Sequence, residues 1–316
     1  MLDMERLRVL HAVARFGSVS AAAEALHVTT SAVSQQMAKL ERETGQKLLE
    51  RNGRGVRLTD AAELLASHAA RILSLVEEAQ ADLEAHRGAV VGELTVAAFP
   101  TAVRGLGPGA LTRLRREHPQ LRVRLRELDP TVSIPLVARG DLDLAITQDW
   151  TNQPLSLPEG LVRGAICDDL ADVALPADHP LADRESINLK EFGEDPWISS
   201  TPGSICCDWL TFTLRGAGAE PRIDHMAYEF ATQLSLVAAG LGAAILPRLG
   251  RCDVPAAVRV VPLDPPLVRR VYAVWRAEAA RRPGIRAVLE ALRATASTAP
   301  PEIQGLLEQL GSIYFR

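Results

Sequence analysis

The sequence predicts an α plus α/β protein in three parts: an N-terminal winged helix-turn-helix, a long linker helix, and a C-terminal two-lobed α/β domain. Three observations predict it. Short helical segments and a Gly/Asn-rich hairpin fill the N-terminal region, apolar residues then repeat at alternating four- and three-residue steps, and after Gly88 short β-rich runs alternate with helical ones. The expected boundaries are 1–60 for the first part, 61–90 for the linker helix and 91–298 for the α/β domain, with lobe I at about 91–164 and 267–298, lobe II at about 165–266, and a tail helix over 299–316.

Composition sets the outer limits. A chain of 316 residues with 47% hydrophobic and 23% charged residues has enough interior for two or three folded domains and is not of the disordered type. No apolar run is long enough to cross a bilayer, so no membrane partner is expected. The first fifteen residues carry Asp3, Glu5, Arg6 and Arg8 among their apolar positions, which does not read as a secretory signal, and a cytoplasmic location is expected. Cys167, Cys206, Cys207 and Cys252 fit neither a disulfide framework nor a metal-binding spacing, so no metal or other cofactor is expected. The net charge of −4 is unlike that of a protein that coats nucleic acid, yet the segment from Thr29 to Thr59 is locally basic through Lys39, Arg42, Lys47, Arg51, Arg54 and Arg57. An acidic stretch, 60–87, follows it.

Leu7, Leu10, Val13 and Ala14 mark a first amphipathic helix ending at Phe16-Gly17. Ser18 or Ser20 caps a second, through Ala21–Ala25, whose small side chains admit a close neighbour. Thr29 or Thr30 caps a third, reaching about Glu43, with Val33, Met37 and Leu40 on its inner face. Its other face starts with Thr30, Ser31, Ser34 and Gln35, followed by Lys39. Hydroxyls and amides at a helix N-terminal end suit base edges in a major groove, and the lysine suits a phosphate; the plain alternative is a solvated polar face. Leu48-Leu49 and Val56–Leu58 then flank a turn that reads as a β-hairpin wing, with Arg51 and Arg54 at its tip placed for phosphates or a narrow minor groove.

The stretch SVSAAAEALHVTTSAVSQQMAKLERETGQKLLERNGRGVRLTDA resembles the helix-turn-helix signature of the LysR family of bacterial transcriptional regulators nearly position for position. A-V-S-x-Q, Leu40-Glu41, Gly45 and the wing ending V-R-L-T carry the match; Leu49 stands where the family usually has Phe, and Ala62 where it usually has Gly. The resemblance implies double-stranded DNA as a partner, at an interrupted inverted repeat, with RNA polymerase a further candidate partner at the promoter.

From Leu58 through Ala62, Leu65, Ala69, Ile72, Val76 and Ala79 to Leu83 the steps form a heptad seam, with no Gly or Pro before Gly88. A helix lying on its own domain would show the same period. The resemblance implies dimerisation through this helix, hence a homodimer or homotetramer whose two recognition helices read two half-sites.

The remaining chain reads as strand 94–99, helix 101–118, strand 121–128, helix 133–139 and strand 142–147, an order that implies a parallel sheet. A second set follows: strands 161–167 and 173–176, strand 197–198, helix 205–215, strand 222–226, helix 230–239, strand 243–246, strands 258–263 and 268–275, and helix 285–295. This resembles the periplasmic-binding-protein-like effector domain of LysR regulators, SLVAAGLGAAILP being its most recognisable piece. Ligands of open α/β sheets bind beyond the carboxyl ends of the strands, which here carry Pro100, Thr101, Asp129, Gln148, Asp149, Ser199, Ser200, Thr201 and Tyr228. Hydroxyls and free N–H groups at Thr101 and the Ser199–Ser204 run suit a carboxylate, while Asp129 and Asp149 suit an amine, so an amino-acid-like or other carboxylate effector is expected.

Three other readings stay open at this level. Cys206-Cys207 at a helix start, where the dipole lowers a thiol pKa, admits a thiol-based redox sensor. An enzyme, or a stand-alone small-molecule-binding protein without DNA function, is less consistent, since His118, His179 and His225 have no matched nucleophile or acid at readable spacing. No catalytic role is expected.

Overall fold

The computed structural model describes residues 2–52, 55–86 and 90–297. The chain divides into two units, Met1–Arg87 and Gly88–Arg316. Among the described residues no helix is long and apolar enough to cross a membrane. The expected tail helix over 299–316 lies outside the described residues.

The first unit holds α1 (Met4–Phe16), α2 (Val19–Ala25), α3 (Thr30–Thr44), the hairpin strands β1 (Leu49–Asn52) and β2 (Gly55–Leu58), and α4 (Asp60–His86). Each of the first three helices starts on an oxygen that satisfies free amides of its first turn. Asp3 accepts from Glu5 N at 2.8 Å, Ser18 from Ala21 N at 3.0 Å and Thr29 from Ala32 N at 3.2 Å, which decides between the alternative caps. Gly17 and Gly45 end α1 and α3 at φ 71° and 64°, a conformation that favours glycine. Val33, Met37 and Leu40 are buried with Leu10, Val13 and Ala22 in one small core, to which Leu48 contributes from the wing side with Leu49 partly buried against it.

The long helix α4 differs from the uniform seam expected of it. Its first half packs on its own unit: Ala62, Ala66 and Ala69 are buried, and Leu58, Ala61 and Leu65 lie against the same core. Beyond them Ile72, Leu75 and Leu83 are exposed. The heptad period is therefore shared between an intramolecular contact and an uncovered apolar stripe. One reason is length: α1 has 13 residues and α4 has 27, so α1 can lie along only about half of it.

In the second unit a seven-stranded sheet runs β10-β6-β11-β5-β3-β4, with β9 also on β6. Its strands are β3 (Gly92–Ala98), β4 (Leu121–Glu127), β5 (Leu144–Trp150), β6 (Leu161–Pro176), β9 (Ala244–Pro247), β10 (Val258–Val261) and β11 (Leu267–Arg276). Helices α5 (Pro100–Glu117), α6 (Pro130–Arg139) and α9 (Pro283–Ser297) flank it, and β7 (Pro196–Ser199), β8 (Arg222–Met226), α7 (Ile205–Gly216) and α8 (Phe230–Ala238) complete the unit. The parallel sheet expected for the first set of strands is observed in β3, β4 and β5, while β6 and β11 run antiparallel to their neighbours and β7 pairs with β8 in parallel apart from this sheet. The two short strands expected over 161–176 are one strand of 16 residues. Its centre, Asp168-Asp169, breaks the apolar pattern because Arg270 and Arg269 stand opposite those residues in register on β11. One core gathers under α5 and α9 around Leu94, Leu106, Ile146 and Ile285, and another around Trp150, Trp197, Trp209 and Leu263.

Candidate DNA interface and effector cleft

On α3, Thr30, Ser31, Ser34, Gln35 and Lys39 are all exposed. Ser34 Oγ donates to the Thr30 carbonyl at 2.9 Å and Ser31 Oγ lies 2.9 Å from Thr29 Oγ1, so the hydroxyls are oriented along the first turn. Glu41 supplies a connection that the sequence did not disclose. Its Oε1 accepts from Leu48 N at 2.8 Å and Leu49 N at 3.2 Å, tying the recognition helix to the base of the wing. Thr59 Oγ1 donates to the Lys47 carbonyl at 2.7 Å and closes the other strand. Across the hairpin Arg57 pairs with Glu50 at 2.7 Å, and Arg51 is in register with Val56. Arg54 lies outside the described residues.

In the second unit the carboxyl ends of β3 and β5 lie side by side, Ala98 opposite Ile146, which sets the start of α5 next to Gln148. Thr101, in the first turn of α5, is buried, and its Oγ1 accepts from Arg269 Nη2 at 3.1 Å. Arg269 is 1% exposed. Its Nε donates to Asp169 Oδ2 at 3.0 Å, its guanidinium carbon sits 5.1 Å from the centre of the Phe99 ring, and Asp169 Oδ1 takes Leu249 N at 2.8 Å. A buried cation is thus held between the two longest strands and one helix start. It was missed in the sequence, although Arg269-Arg270 inside an apolar strand is a visible signal, since charge is seldom buried without a specific partner.

One face of β5 meets one face of α7. Gln148 Nε2 lies 3.2 Å from Cys206 Sγ; Trp150 stacks on Trp209 with ring centres 3.7 Å apart and planes 11° from parallel; Asn152 Oδ1 accepts from Trp209 Nε1 at 2.8 Å, and Asn152 Nδ2 donates to Thr213 Oγ1 at 3.0 Å. Alternate strand residues meet helix residues three and four apart, the condition for a continuous seam between a strand and a helix. Beside it Ser199 and Ser200, both buried, line a cavity of about 20 Å³ together with Trp150, Cys206, Trp209 and Phe230. Trp150 Nε1, in the wall of that cavity, and Gln148 Oε1, two residues earlier on the same face of β5, are buried without a hydrogen-bond partner.

Other expected site residues are occupied elsewhere. Asp149 is fully buried and points to the opposite face of β5, where Arg270 Nε at 2.7 Å, Leu155 N at 3.0 Å and Tyr272 OH at 3.4 Å use its oxygens. The alternation of side chains along a strand places it away from Gln148, so it offers nothing to an amine in the cleft. Asp129 caps α6 through Thr131 N at 2.8 Å and accepts from Tyr228 OH at 3.5 Å; the tyrosine hydroxyl is pushed well above its ordinary range by burial and that carboxylate. Pro100 opens α5, and Thr201 is exposed, its carbonyl accepting from Ser204 Oγ at 2.7 Å.

The expected lowering of the helix-start thiols is reversed. Burial raises the pKa of Cys206 and of Cys207, and Cys167 is pushed up to about 12 by burial and Asp169. Desolvation outweighs the dipole because the thiols sit among packed side chains. All four cysteines are free.

Comparisons with known proteins accord with this architecture. Residues 4–63 match the profile of the bacterial regulatory helix-turn-helix protein, lysR family, and residues 87–297 that of the LysR substrate binding domain. The chain is 32% identical to the probable HTH-type transcriptional regulator LrrA of Synechococcus elongatus over 96% of its length and 99% of the relative's. It is 29% identical to the HTH-type transcriptional activator IlvY of Salmonella typhimurium over 82% of its length and 86% of that protein's. Among solved structures, a full-length OxyR variant from Pseudomonas aeruginosa superimposes with a TM-score of 0.64 at 24% identity, covering 93% of this chain and 95% of that one, a likeness of fold. A DNA-binding winged helix-turn-helix joined to a ligand-binding α/β unit, matched by family over both parts, makes this chain a member of the LysR family of transcriptional regulators.

Proposed function

We propose that this regulator binds an interrupted inverted repeat as a homodimer, or as a tetramer of two such dimers, and that a small molecule held at the α5–β5–α7 junction controls its action at the promoter. In this reading Ser31, Ser34 and Gln35 contact base edges, while Thr30, Lys39, Arg51 and Arg54 contact phosphates or the minor groove. RNA polymerase is the further partner at the promoter. The protein acts in the cytoplasm and has no catalytic role. The exposed stripe Ile72, Leu75 and Leu83 supports pairing through the outer half of α4, because an isolated helix gains nothing from displaying leucines to water.

The observation that carries the effector site is the pair of unmatched buried polar atoms, Gln148 Oε1 and Trp150 Nε1, beside Thr101 and Arg269. A buried polar atom left unpaired costs about 1–3 kcal/mol, which a ligand offering the missing partner recovers. Thr101, Gln148, Ser199 and Ser200 are retained as effector residues, and Arg269, Cys206 and Trp150 join them. Tyr228 with Asp129 borders the same site, and Pro100 and Thr101 open the helix that faces it. The test is selection of a DNA site from a random library by the full chain, followed by ligand titration. A palindromic site whose occupancy or footprint changes with a cleft ligand, in the native chain and not in Thr101→Val, is the expected result. A site without two-fold symmetry would overturn the dimer reading.

A further inference from the structure

We propose that the effector is a short carboxylate without an ammonium group, whose arm enters the cavity beside Ser199 and Ser200 and offers an uncharged acceptor oxygen, hydroxyl or carbonyl, to Trp150. The proposal rests on the cleft being the effector site and adds the chemical class of what it holds.

Apart from Gln233, which lines the cavity and gives its Nε2 to the Ala227 carbonyl, the polar groups that converge there can act as donors. Thr101 Oγ1 already accepts from Arg269, so the hydroxyl's own proton is left to give. Arg269 keeps two of its nitrogens on Asp169 and Thr101. No hydrogen bond is made by its Nη1 among the described residues. The first-turn amides of α5 add their partial positive charge, and no side chain caps them. Gln148 belongs to the same set once the thiol is considered. Cys206 keeps its proton because burial raises its pKa, and an S–H directed at the amide pairs with the amide oxygen. The reversed amide therefore accepts from the thiol on Oε1 and turns its NH2 toward the cleft. Either orientation leaves one buried polar atom of Gln148 unmatched.

An ammonium group finds no equivalent welcome. Asp149 faces away and is used by Arg270, Leu155 and Tyr272. Asp129 spends its oxygens on the α6 cap and on Tyr228. Among the charged groups that act on Cys206, the Arg269 cation acts most strongly, and it keeps a hydrogen-bonding atom for a ligand. Beyond the donors the walls are apolar except for Gln233: Ile198, Trp209, Leu210, Phe230 and Ile245 surround the cavity with it, and Trp150 Nε1–H is buried among them without an acceptor. A volume of about 20 Å³ exceeds the ~10–15 Å³ needed for one water, which leaves room for an arm of about one or two non-hydrogen atoms. The arm must bring the acceptor that the indole lacks, and a plain alkyl chain does not.

The test is calorimetric titration of the full-length protein with a matched four-carbon series: 2-oxobutanoate, 2-hydroxybutanoate, 2-aminobutanoate, butanoate and 2-hydroxybutanamide. The expected result is that the oxo or hydroxy acid binds at least about tenfold more tightly than the amino acid and butanoate, and that the amide, lacking the anion, does not bind. Trp150→Phe keeps the aromatic stack and removes the N–H. It should bring the oxo or hydroxy acid to within about threefold of butanoate measured on the same variant. The proposal is overturned if the amino acid binds as tightly as its oxo counterpart, if Trp150→Phe preserves the preference, or if none of the acids binds. Thr101→Val separates the two levels. When it abolishes the binding of whichever compound binds, the cleft stands even though the class is wrong; when binding persists unchanged, the cleft itself is wrong.

Discussion

At the scale of single residues, Gln35 and Lys39 sit on the same exposed face of α3 and should fail differently. Gln35→Ala is expected to cost about 1–3 kcal/mol on the selected site and to relax its base preference, whereas Lys39→Ala should weaken all DNA alike and lower the salt slope by about one unit, both read by fluorescence anisotropy across salt concentrations. Glu41 has no base to read. Glu41→Ala leaves Leu48 N and Leu49 N without their carboxylate and is expected to destabilise the first unit by about 1.5–3 kcal/mol in thermal unfolding. Residue identity was legible in the sequence where a face of a helix is regular: Val33, Met37 and Leu40 are buried, and their polar neighbours are exposed. It was not legible where function depends on which face of a strand a side chain takes. Gln148 and Asp149 are adjacent in the chain and end on opposite sides of β5, and only the strand's phase separates them.

At the scale of elements, the heptad pattern of α4 was read correctly as apolar and incorrectly as one seam. Period alone cannot say which turns meet a neighbour from the same chain, and alanine at 62, 66 and 69 was the available hint of a close intramolecular approach. Leu75→Glu with Leu83→Glu is therefore expected to shift the protein to monomer in light scattering while leaving its unfolding temperature within a few degrees, because both side chains are exposed in the single chain. The merger of two expected strands into β6 has a similar origin. Asp168 and Asp169 interrupt the apolar run, and their partners, Arg270 and Arg269, lie about a hundred residues away, beyond what a local pattern discloses. The thiols on these elements set a pH limit. A folded-state pKa raised above its ordinary value means that the fold holds the proton, so stability is complete below the unfolded value and falls as pH rises toward the folded one. For Cys167, between 9.0 and about 12, unfolding temperature should decline with pH, and Cys167→Ala should flatten that decline.

At the scale of the whole α/β unit, the Arg269–Asp169 pair joins β6 to β11 where both strands pass between the two cores. Arg269→Met leaves Asp169 buried without its cation and is expected to cost about 3–5 kcal/mol in chemical denaturation, more than Arg215→Met, whose ion pair with Glu220 is exposed. The stacked indoles of Trp150 and Trp209 lie inside the second of these cores, where they join the end of β5 to α7. Two nearly parallel chromophores this close exchange excitation, and their coupled transitions give a paired positive and negative band in circular dichroism that vanishes when the rings part. The protein thus carries an intrinsic optical gauge of the β5–α7 contact beside the cavity, one that reports the parting of these two elements in real time without any attached dye.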